Sequence, residues 1–173
     1  LYASRVLTNY FMRQGWDNED LVVVSPDEGS IKRAVGHAKR IGGSIAIIDK
    51  RRESATSVRQ ETIIGGPVEG KIALMFDDMI STGGSICGAA ELVKRYGAQE
   101  IHGAATHGVF AGHATELLKK APVDSVVITD TIPLKPKNRL DKIKVLTVST
   151  LLGEAIKRIH HDQSISSIFN TGN

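Results

Sequence analysis

The fold is decided by one stretch near the middle of the chain, Lys71-Ile72-Ala73-Leu74-Met75-Phe76-Asp77-Asp78-Met79-Ile80-Ser81-Thr82-Gly83-Gly84-Ser85. The five residues after Lys71 are all apolar, a pattern typical of a strand that is buried on both faces. We therefore expect a central strand over residues 71–76, a loop over 77–84 and a helix over 85–96.

On both sides of this stretch, short β-branched runs alternate with longer helical patterns. This alternation predicts an α/β protein with a mostly parallel sheet. Further strands are expected over residues 21–25, 44–49, 62–64, 101–107, 126–129 and 144–148. Helices are expected over 3–14, 31–41, 111–120 and 151–160.

Composition limits the kind of protein. The chain has 173 residues, of which 41% are apolar and 24% charged, so we expect one folded domain over residues 1–173 and not a disordered chain. A single cysteine, Cys87, leaves no disulfide framework or thiolate zinc site and favours the cytoplasm.

Net charge and hydropathy limit the kinds of ligand and the cellular setting that we expect for the chain. The formal net charge of +3 is a weak bias towards anionic ligands and does not indicate nucleic acid. No apolar run approaches the roughly 18 residues that span a bilayer, and the amino-terminal residues lack the layout of a signal peptide. We expect neither a membrane protein nor a secreted one.

The junction after the central strand is the main candidate site. Asp77 and Asp78 follow the strand, and Thr82-Gly83-Gly84-Ser85 opens the next helix. Backbone amides at a glycine-rich helix start bind phosphate, and carboxylates accept hydrogen bonds from ribose hydroxyls. The junction therefore suits a phosphorylated sugar. The alternative is structural, with Ser81 or Ser85 capping the helix after a solvated aspartate pair.

Other polar segments have structural interpretations of their own. Residues 50–57 show neither helical nor strand periodicity and predict a mobile basic loop. Asp27 follows Pro26 and fits a turn. Lys32 and Arg33 fit surface cations of a first helical turn, and His107 fits a structural histidine at the end of a strand.

The sequence resembles a known family. Residues 75–85 resemble the phosphoribosyl diphosphate (PRPP) signature of type I phosphoribosyltransferases and ribose-phosphate pyrophosphokinases. The second of these families is also matched by residues 22–34, similar to its pyrophosphate loop, and by residues 46–52, similar to its catalytic segment. Residues 106–108 and 164–169 match as well. The resemblance spans the whole chain. It corresponds to the carboxyl-terminal half of that family's longer chain, and the amino-terminal half is absent from this sequence.

The resemblance implies a phosphoribosyltransferase-like fold, with a mostly parallel central sheet flanked by helices on both faces. It also implies Mg²⁺-dependent transfer of the β,γ-diphosphoryl group of ATP to the C1 hydroxyl of ribose 5-phosphate, giving PRPP and AMP. Such a transfer is catalysed by positioning and by neutralising charge on the moving group. Lys50 and Arg52 would be the catalytic cations.

The remaining site residues also follow from the resemblance. Ribose 5-phosphate would be bound by Asp77, Asp78, Ser81, Thr82, Gly83, Gly84 and Ser85. The diphosphate loop would comprise Asp27, Glu28, Gly29 and Ser30, with Asp27 as a Mg²⁺ ligand. An allosteric site for phosphate or ADP would include Ser164, Ile165, Ser166 and Phe169.

Two departures from the family pattern stand out. Many members have Asp at the position of Ser81 and Gly at the position of Ser30, and we expect these changes to alter affinity more than fold. The family also implies a homo-oligomer, typically a hexamer, with ATP bound partly by the missing half. The chain alone is therefore expected to turn over slowly or not at all.

Three other functions stay open from the sequence. A phosphoribosyltransferase would use the same sugar-phosphate loop but needs a nucleobase-binding insertion, which the sequence does not show. A non-catalytic regulatory protein associated with PRPP synthetase would keep the fold and lose the catalytic groups, all of which are present. A fragment that only binds phosphate or nucleotides is the third.

Overall fold

A seven-stranded sheet organises the part of the chain that the structure describes. The computed structural model describes residues 1–51, 60–166 and 168, and at residues 50, 51 and 60 it describes the backbone alone. The strands are β1 Leu21–Ser25, β2 Ser44–Arg51, β3 Gln60–Gly65, β4 Ile72–Ile80, β5 Glu100–Gly108, β6 Ser125–Thr129 and β7 Ile143–Leu146. The helices are α1 Ser4–Met12, α2 Ile31–Ile41, α3 Gly84–Arg95, α4 Ala114–Lys120 and α5 Ser149–His160, and 3₁₀ turns lie at Asn18–Asp20, Glu28–Ser30 and Pro136–Asn138.

The order of the strands confirms the predicted sheet. It is β3-β2-β1-β4-β5-β6-β7, with β4 in the middle. All neighbours are parallel except β2 and β3, which form an antiparallel pair. The mostly parallel α/β architecture and the central position of the strand that begins near residue 71 are therefore confirmed.

Helices cover both faces of the sheet, as predicted. On one face, Phe11 of α1 and Ile41 of α2 pack with Leu74 and Phe76 of β4. On the other face, residues of α3 and α4 pack with Met75 and its neighbours. Because alternate residues of β4 enter different cores, its apolar run has no polar interruption. No helix in the described ranges is long and apolar enough to cross a membrane.

The order of the strands also creates a crevice. β1 and β4 are parallel neighbours, but β1 leads into α2 on one face of the sheet and β4 leads into α3 on the other. Chains that leave neighbouring parallel strands towards opposite faces open a crevice at the carboxyl ends of those strands, where ligands bind in open α/β sheets. The fold thus brings residues 26–30 and 81–84 to one crevice.

Two strands extend further than the sequence predicts. β4 continues to Ile80, because Asp77, Met79 and Ile80 pair with residues of β5. Similarly, β2 continues to Arg51, which pairs with Gln60 of β3. The predicted loops that begin at residues 77 and 50 are therefore wrong at their start. Backbone hydrogen bonds extend a strand whatever its side chains, so polar residues did not end these strands.

Helix ends also differ from the predictions. α1 is shorter than the predicted 3–14, and α4 begins at Ala114 and not at residue 111. Phe110 and Gly112 adopt φ values of 47° and 57°. A left-handed conformation cannot continue into a right-handed helix, so a turn precedes α4.

Gly65 and Gly70 offer a test of the packing at the end of β3. Both have positive φ, but a Cβ on Gly65 would lie 2.6 Å from the Ile45 carbonyl oxygen, whereas one on Gly70 would meet nothing within 4 Å. We expect Gly70→Ala to lower the free energy of unfolding by about 1 kcal/mol and Gly65→Ala by about 3 kcal/mol. Urea unfolding measures both, and equal losses would contradict the register of β2 and β3.

Candidate functional site

A pair of carboxylates marks the carboxyl end of β4. Arg33 of α2 donates a hydrogen bond from Nη1 to Oδ1 of Asp77, and its Nη2 lies 3.5 Å from Oδ1 of Asp78. The Asp78 amide donates to Oδ1 of Asp77 at 2.8 Å, and the Met79 amide donates to Oδ1 of Asp78 at 3.0 Å. Asp77 is 28% exposed and Asp78 is 63% exposed, so Asp78 has the greater access to solvent.

The two aspartates differ in their readiness to take up a proton. Burial raises the pKa of Asp77, and a hydrogen bond with the Asp78 carboxyl raises it further. The same hydrogen bond lowers the pKa of Asp78, and the Arg33 charge lowers it as well. On acidification Asp77 therefore takes up the first proton, while Asp78 remains the charged acceptor.

The loop after β4 forms a small cavity. Its volume is about 140 Å³, and it is lined by Asp77 and by residues 79–86. Gly83 precedes α3 with φ of 78° and makes no side-chain cap. The first helical hydrogen bond runs from the Cys87 amide to the Gly83 carbonyl, so the amides of residues 84–86 precede it and have no partner within the helix.

The start of α3 contradicts the predicted capping role of the two serines. The N-cap residue is Gly83 and no side chain caps the helix, so neither Ser81 nor Ser85 does so. Both serines and Thr82 are exposed, next to the free amides. The Ala111 amide donates to the Ser81 carbonyl at 2.9 Å, which anchors the start of the loop. The loop therefore combines backbone and hydroxyl donors, which suit an anion.

The loop after β1 forms the opposite wall of the crevice. Asp27 Oδ1 accepts a hydrogen bond from the Ser30 amide at 2.9 Å, and Ser25 Oγ donates to the Asp27 carbonyl at 2.7 Å. Asp27 thus closes the turn at Glu28–Ser30, as the turn-forming interpretation predicts. In this arrangement the Ser30 amide is already bonded, whereas Glu28 and Gly29 are exposed.

The described residues do not form a metal centre of their own. Within them, no group of three or more His, Cys, Asp or Glu side chains lies together. Mg²⁺ often keeps several waters, takes one or two protein carboxylates and binds substrate phosphates. The exposed carboxylate of Asp27 fits one such position, but the donor set does not fit a cation held by protein alone.

A second cavity, of about 410 Å³, adjoins the aspartate pair. Its lining includes Arg33, His37, Asp78 and His107, as well as the first four residues of the chain. His107 Nδ1 lies 2.8 Å from Thr131 Oγ1, so its structural hydrogen bond is present as predicted.

His37 is buried beside this cavity as a neutral ring. Thr8 Oγ1 donates to the Ser4 carbonyl at 2.8 Å, so it accepts from Nδ1 of His37, also at 2.8 Å. The imidazole stacks on Phe76 with 3.8 Å between ring centroids. Burial lowers the pKa of His37 to about 4, with contributions from Arg40 and Arg33.

The other predicted site residues lie elsewhere or outside the described ranges. The backbone of Lys50 pairs with Glu61 in the β2–β3 hairpin, while the Lys50 side chain, Arg52 and Phe169 are not described. The hydroxyls of Ser164 and Ser166, on either side of Ile165, form a hydrogen bond of 2.6 Å after the end of α5. Thus the structure brings the Asp27 loop, the aspartate pair and the loop after β4 together.

Arg33 is the residue that sequence reasoning missed. The sequence predicted a surface cation, whereas the structure shows a bridge to both aspartates. The signal was its place on the first turn of α2, directly after the Asp27 loop, since that turn starts at the carboxyl edge of the sheet.

Comparison with known proteins identifies related sequences and folds. Residues 56–170 match the family described as phosphoribosyl synthetase-associated domain. A ribose-phosphate pyrophosphokinase of Rhodopirellula baltica is 62% identical over 98% of this chain and 54% of its own. The phosphoribosylpyrophosphate synthetase of Mycobacterium smegmatis is similar in structure, with a TM-score of 0.83 and 34% identity over 92% of this chain and 51% of its own.

A more distant structure confirms the fold alone. An APRTase from Giardia lamblia has a TM-score of 0.52 and 15% identity, over 73% of this chain and 76% of its own. The expected phosphoribosyltransferase-like fold is thus confirmed. The chain spans about half the length of the curated relatives that it matches.

The low pKa of His37 predicts how stability depends on pH. The unfolded chain binds a proton on this ring below about 6.5, whereas the folded chain does so only near 4. The unfolded state therefore holds more protons between these values, and the free energy of unfolding rises with pH across that window. It reaches its full value above 6.5.

His37→Phe keeps an aromatic ring stacked on Phe76. We expect it to lower the slope of the free energy of unfolding against pH by an amount equivalent to up to about one proton. Urea unfolding between pH 4 and 7 measures the slope, and an NMR titration of the imidazole measures the pKa directly. A His37 pKa near the ordinary histidine value of 6.5 would contradict the buried neutral ring.

Proposed function

The chain belongs to the phosphoribosyl synthetase-associated domain family, and from that premise we propose that it forms the ribose 5-phosphate side of a ribose-phosphate pyrophosphokinase active site. The reaction transfers the β,γ-diphosphoryl group of ATP to the C1 hydroxyl of ribose 5-phosphate, giving PRPP and AMP. The main support is the aspartate pair beside the uncapped start of α3, in the crevice between β1 and β4.

The phosphate and the ribose of the ligand occupy different parts of this site. The phosphate oxygens accept hydrogen bonds from the amides of residues 84–86 and from the hydroxyls of Ser81, Thr82 and Ser85, while Gly83 and Gly84 let it approach closely. The ribose hydroxyls donate to Asp78, the more exposed carboxylate, and to Asp77. Each group of the ligand thus meets a complementary group of the chain.

The two departures from the family pattern are compatible with this binding mode. Ser30 has φ of −94°, so its backbone does not require glycine. Ser81 replaces a carboxylate with a hydroxyl, which donates to a phosphate and does not repel it. The backbone bond between Ala111 and Ser81 does not depend on the side chain at position 81.

The transfer step requires positive charge near the moving diphosphoryl group. We assign this role to Lys50 and Arg52, whose sequence context resembles the catalytic segment of the pyrophosphokinases. We assign to Asp27 one carboxylate ligand of a Mg²⁺ ion that also binds the phosphates of ATP, with Glu28, Gly29 and Ser30 forming the diphosphate loop.

The organisation of the longer enzyme is also part of the proposal. Residues 1–173 would be its carboxyl-terminal half, working in a cytoplasmic homo-oligomer with ATP held partly by the other half. Ser164, Ile165, Ser166 and Phe169 would contribute to an allosteric phosphate or ADP site. The similarity to pyrophosphokinases favours this function over a phosphoribosyltransferase or a regulatory protein without activity.

Calorimetry with ribose 5-phosphate and Mg²⁺ tests the sugar site directly. We expect saturable binding by the chain, and a loss of about tenfold in affinity for Asp78→Asn, because a charged acceptor of the ribose hydroxyls becomes neutral. Asp141→Asn is the matched control, since this exposed residue precedes β7 at the opposite end of the parallel strands. Absence of binding in the unmodified chain would contradict the proposed function.

Lys50→Ala separates the transfer step from sugar binding. In the full-length enzyme we expect transfer to fall by about a hundredfold or more, because the cation stabilises charge that develops in the transition state. Affinity for ribose 5-phosphate should stay within about twofold. Transfer is measured as release of AMP from ATP that depends on ribose 5-phosphate, and a large loss of sugar binding would assign Lys50 to a different role.

A further inference from the structure

We propose that Arg33 is a positioning residue, which bridges Asp77 and Asp78 and fixes the direction in which both carboxylates face the sugar. This inference rests on the proposed function of the aspartate pair. It adds a residue on α2 to a sugar site that the sequence assigned to residues 77–85.

The backbone of β4 makes such a bridge necessary. Side chains of neighbouring residues in a regular strand point to opposite faces of the sheet. Asp77 and Asp78 are neighbours within β4, yet one guanidinium contacts both. The planar fork of arginine can address two acceptors at once, which a lysine ammonium on a flexible stem does less well. Arg33 therefore holds together two carboxylates that the strand alone would separate.

α2 is well placed to hold Arg33 steady. One turn further along the helix, His37 stacks on Phe76, the residue before Asp77, with an interplanar angle of 5°. Ala34 is buried in the same core as Phe76. α2 thus contacts three successive residues of β4, through His37 at Phe76 and through Arg33 at Asp77 and Asp78. The Arg33 side chain is 33% exposed, so this contact is only partly screened by water.

The same contact joins the two walls of the crevice. α2 begins at Ile31, directly after the turn Glu28–Ser30 that Asp27 closes. A displacement of that turn moves the first turn of α2 and therefore the guanidinium of Arg33. The sugar site and the proposed diphosphate loop are then coupled through one short stretch of backbone.

Arg33 supplies positive charge that favours the ionised form of both aspartates. The Arg33 charge opposes the rise that burial causes in the pKa of Asp77, and it helps to lower the pKa of Asp78. His37, also on α2, is neutral because burial lowers its pKa to about 4. His107 of β5 lines the same cavity and is bonded to Thr131. Loss of Arg33 should therefore shift the acid limb of sugar binding to higher pH.

The test compares Arg33→Met and Arg33→Lys with the unmodified chain by calorimetry with ribose 5-phosphate and Mg²⁺ from pH 5 to 8. We expect Arg33→Met to weaken binding at neutral pH by about tenfold and to move the acid limb upwards. Arg33→Lys should restore the pH profile, because it restores the positive charge. It should restore only part of the affinity, because a lysine ammonium does not bridge both carboxylates as the guanidinium does. Arg95→Met is the control, since Arg95 pairs with Glu61 at 3.8 Å on the surface.

Different outcomes overturn different claims. Unchanged affinity and pH profile in Arg33→Met would refute the positioning role while leaving the proposed function intact. No binding by the unmodified chain would refute the proposed function. Carboxyl NMR titration of Asp77 and Asp78 would then still test Arg33, since Arg33→Met should raise the apparent pKa values of the pair. Circular dichroism of each variant verifies that α2 remains folded.

Discussion

The pairing of β4 with β1 on one side and β5 on the other is the constraint on which the site depends. β4 is buried through Phe76, and its pairing with β5 continues to Ile80, so Asp77 and Asp78 are carried by a paired strand and not by a loop. Groups on a strand keep their positions better than groups on a loop. The proposed sugar site is therefore built outwards from the central strand of the sheet.

A rigid strand alone would not make a good acceptor pair, because neighbouring carboxylates repel and diverge. Arg33 and the two amides at residues 78 and 79 compensate for this. Burial disfavours the charged form of Asp77 and raises its pKa, while Asp78 stays exposed and charged. One aspartate is thereby mainly structural and the other mainly available to a ligand.

The sequence predicted whatever depends on local pattern. Apolar runs located the central strand, glycines located the loop after it, and alternation of elements predicted the parallel sheet. Patterns could not predict that β4 and β2 continue into polar residues, since strand ends depend on partners far along the chain. The contacts of Arg33 were missed for the same reason, because its partner Asp77 lies 44 residues away.

The balance of charge in the crevice explains why the proposed transfer needs groups beyond those proposed to bind the sugar. Arg33 carries one positive charge and faces two carboxylates, so with both ionised this cluster is net negative. The amides before α3 are neutral donors, sufficient for a phosphate but not for the charge of a moving diphosphoryl group. The extra positive charge must come from outside this cluster. The proposed function assigns this charge to Lys50, Arg52 and a Mg²⁺ ion beside Asp27, and on that assignment binding and transfer should respond to different substitutions.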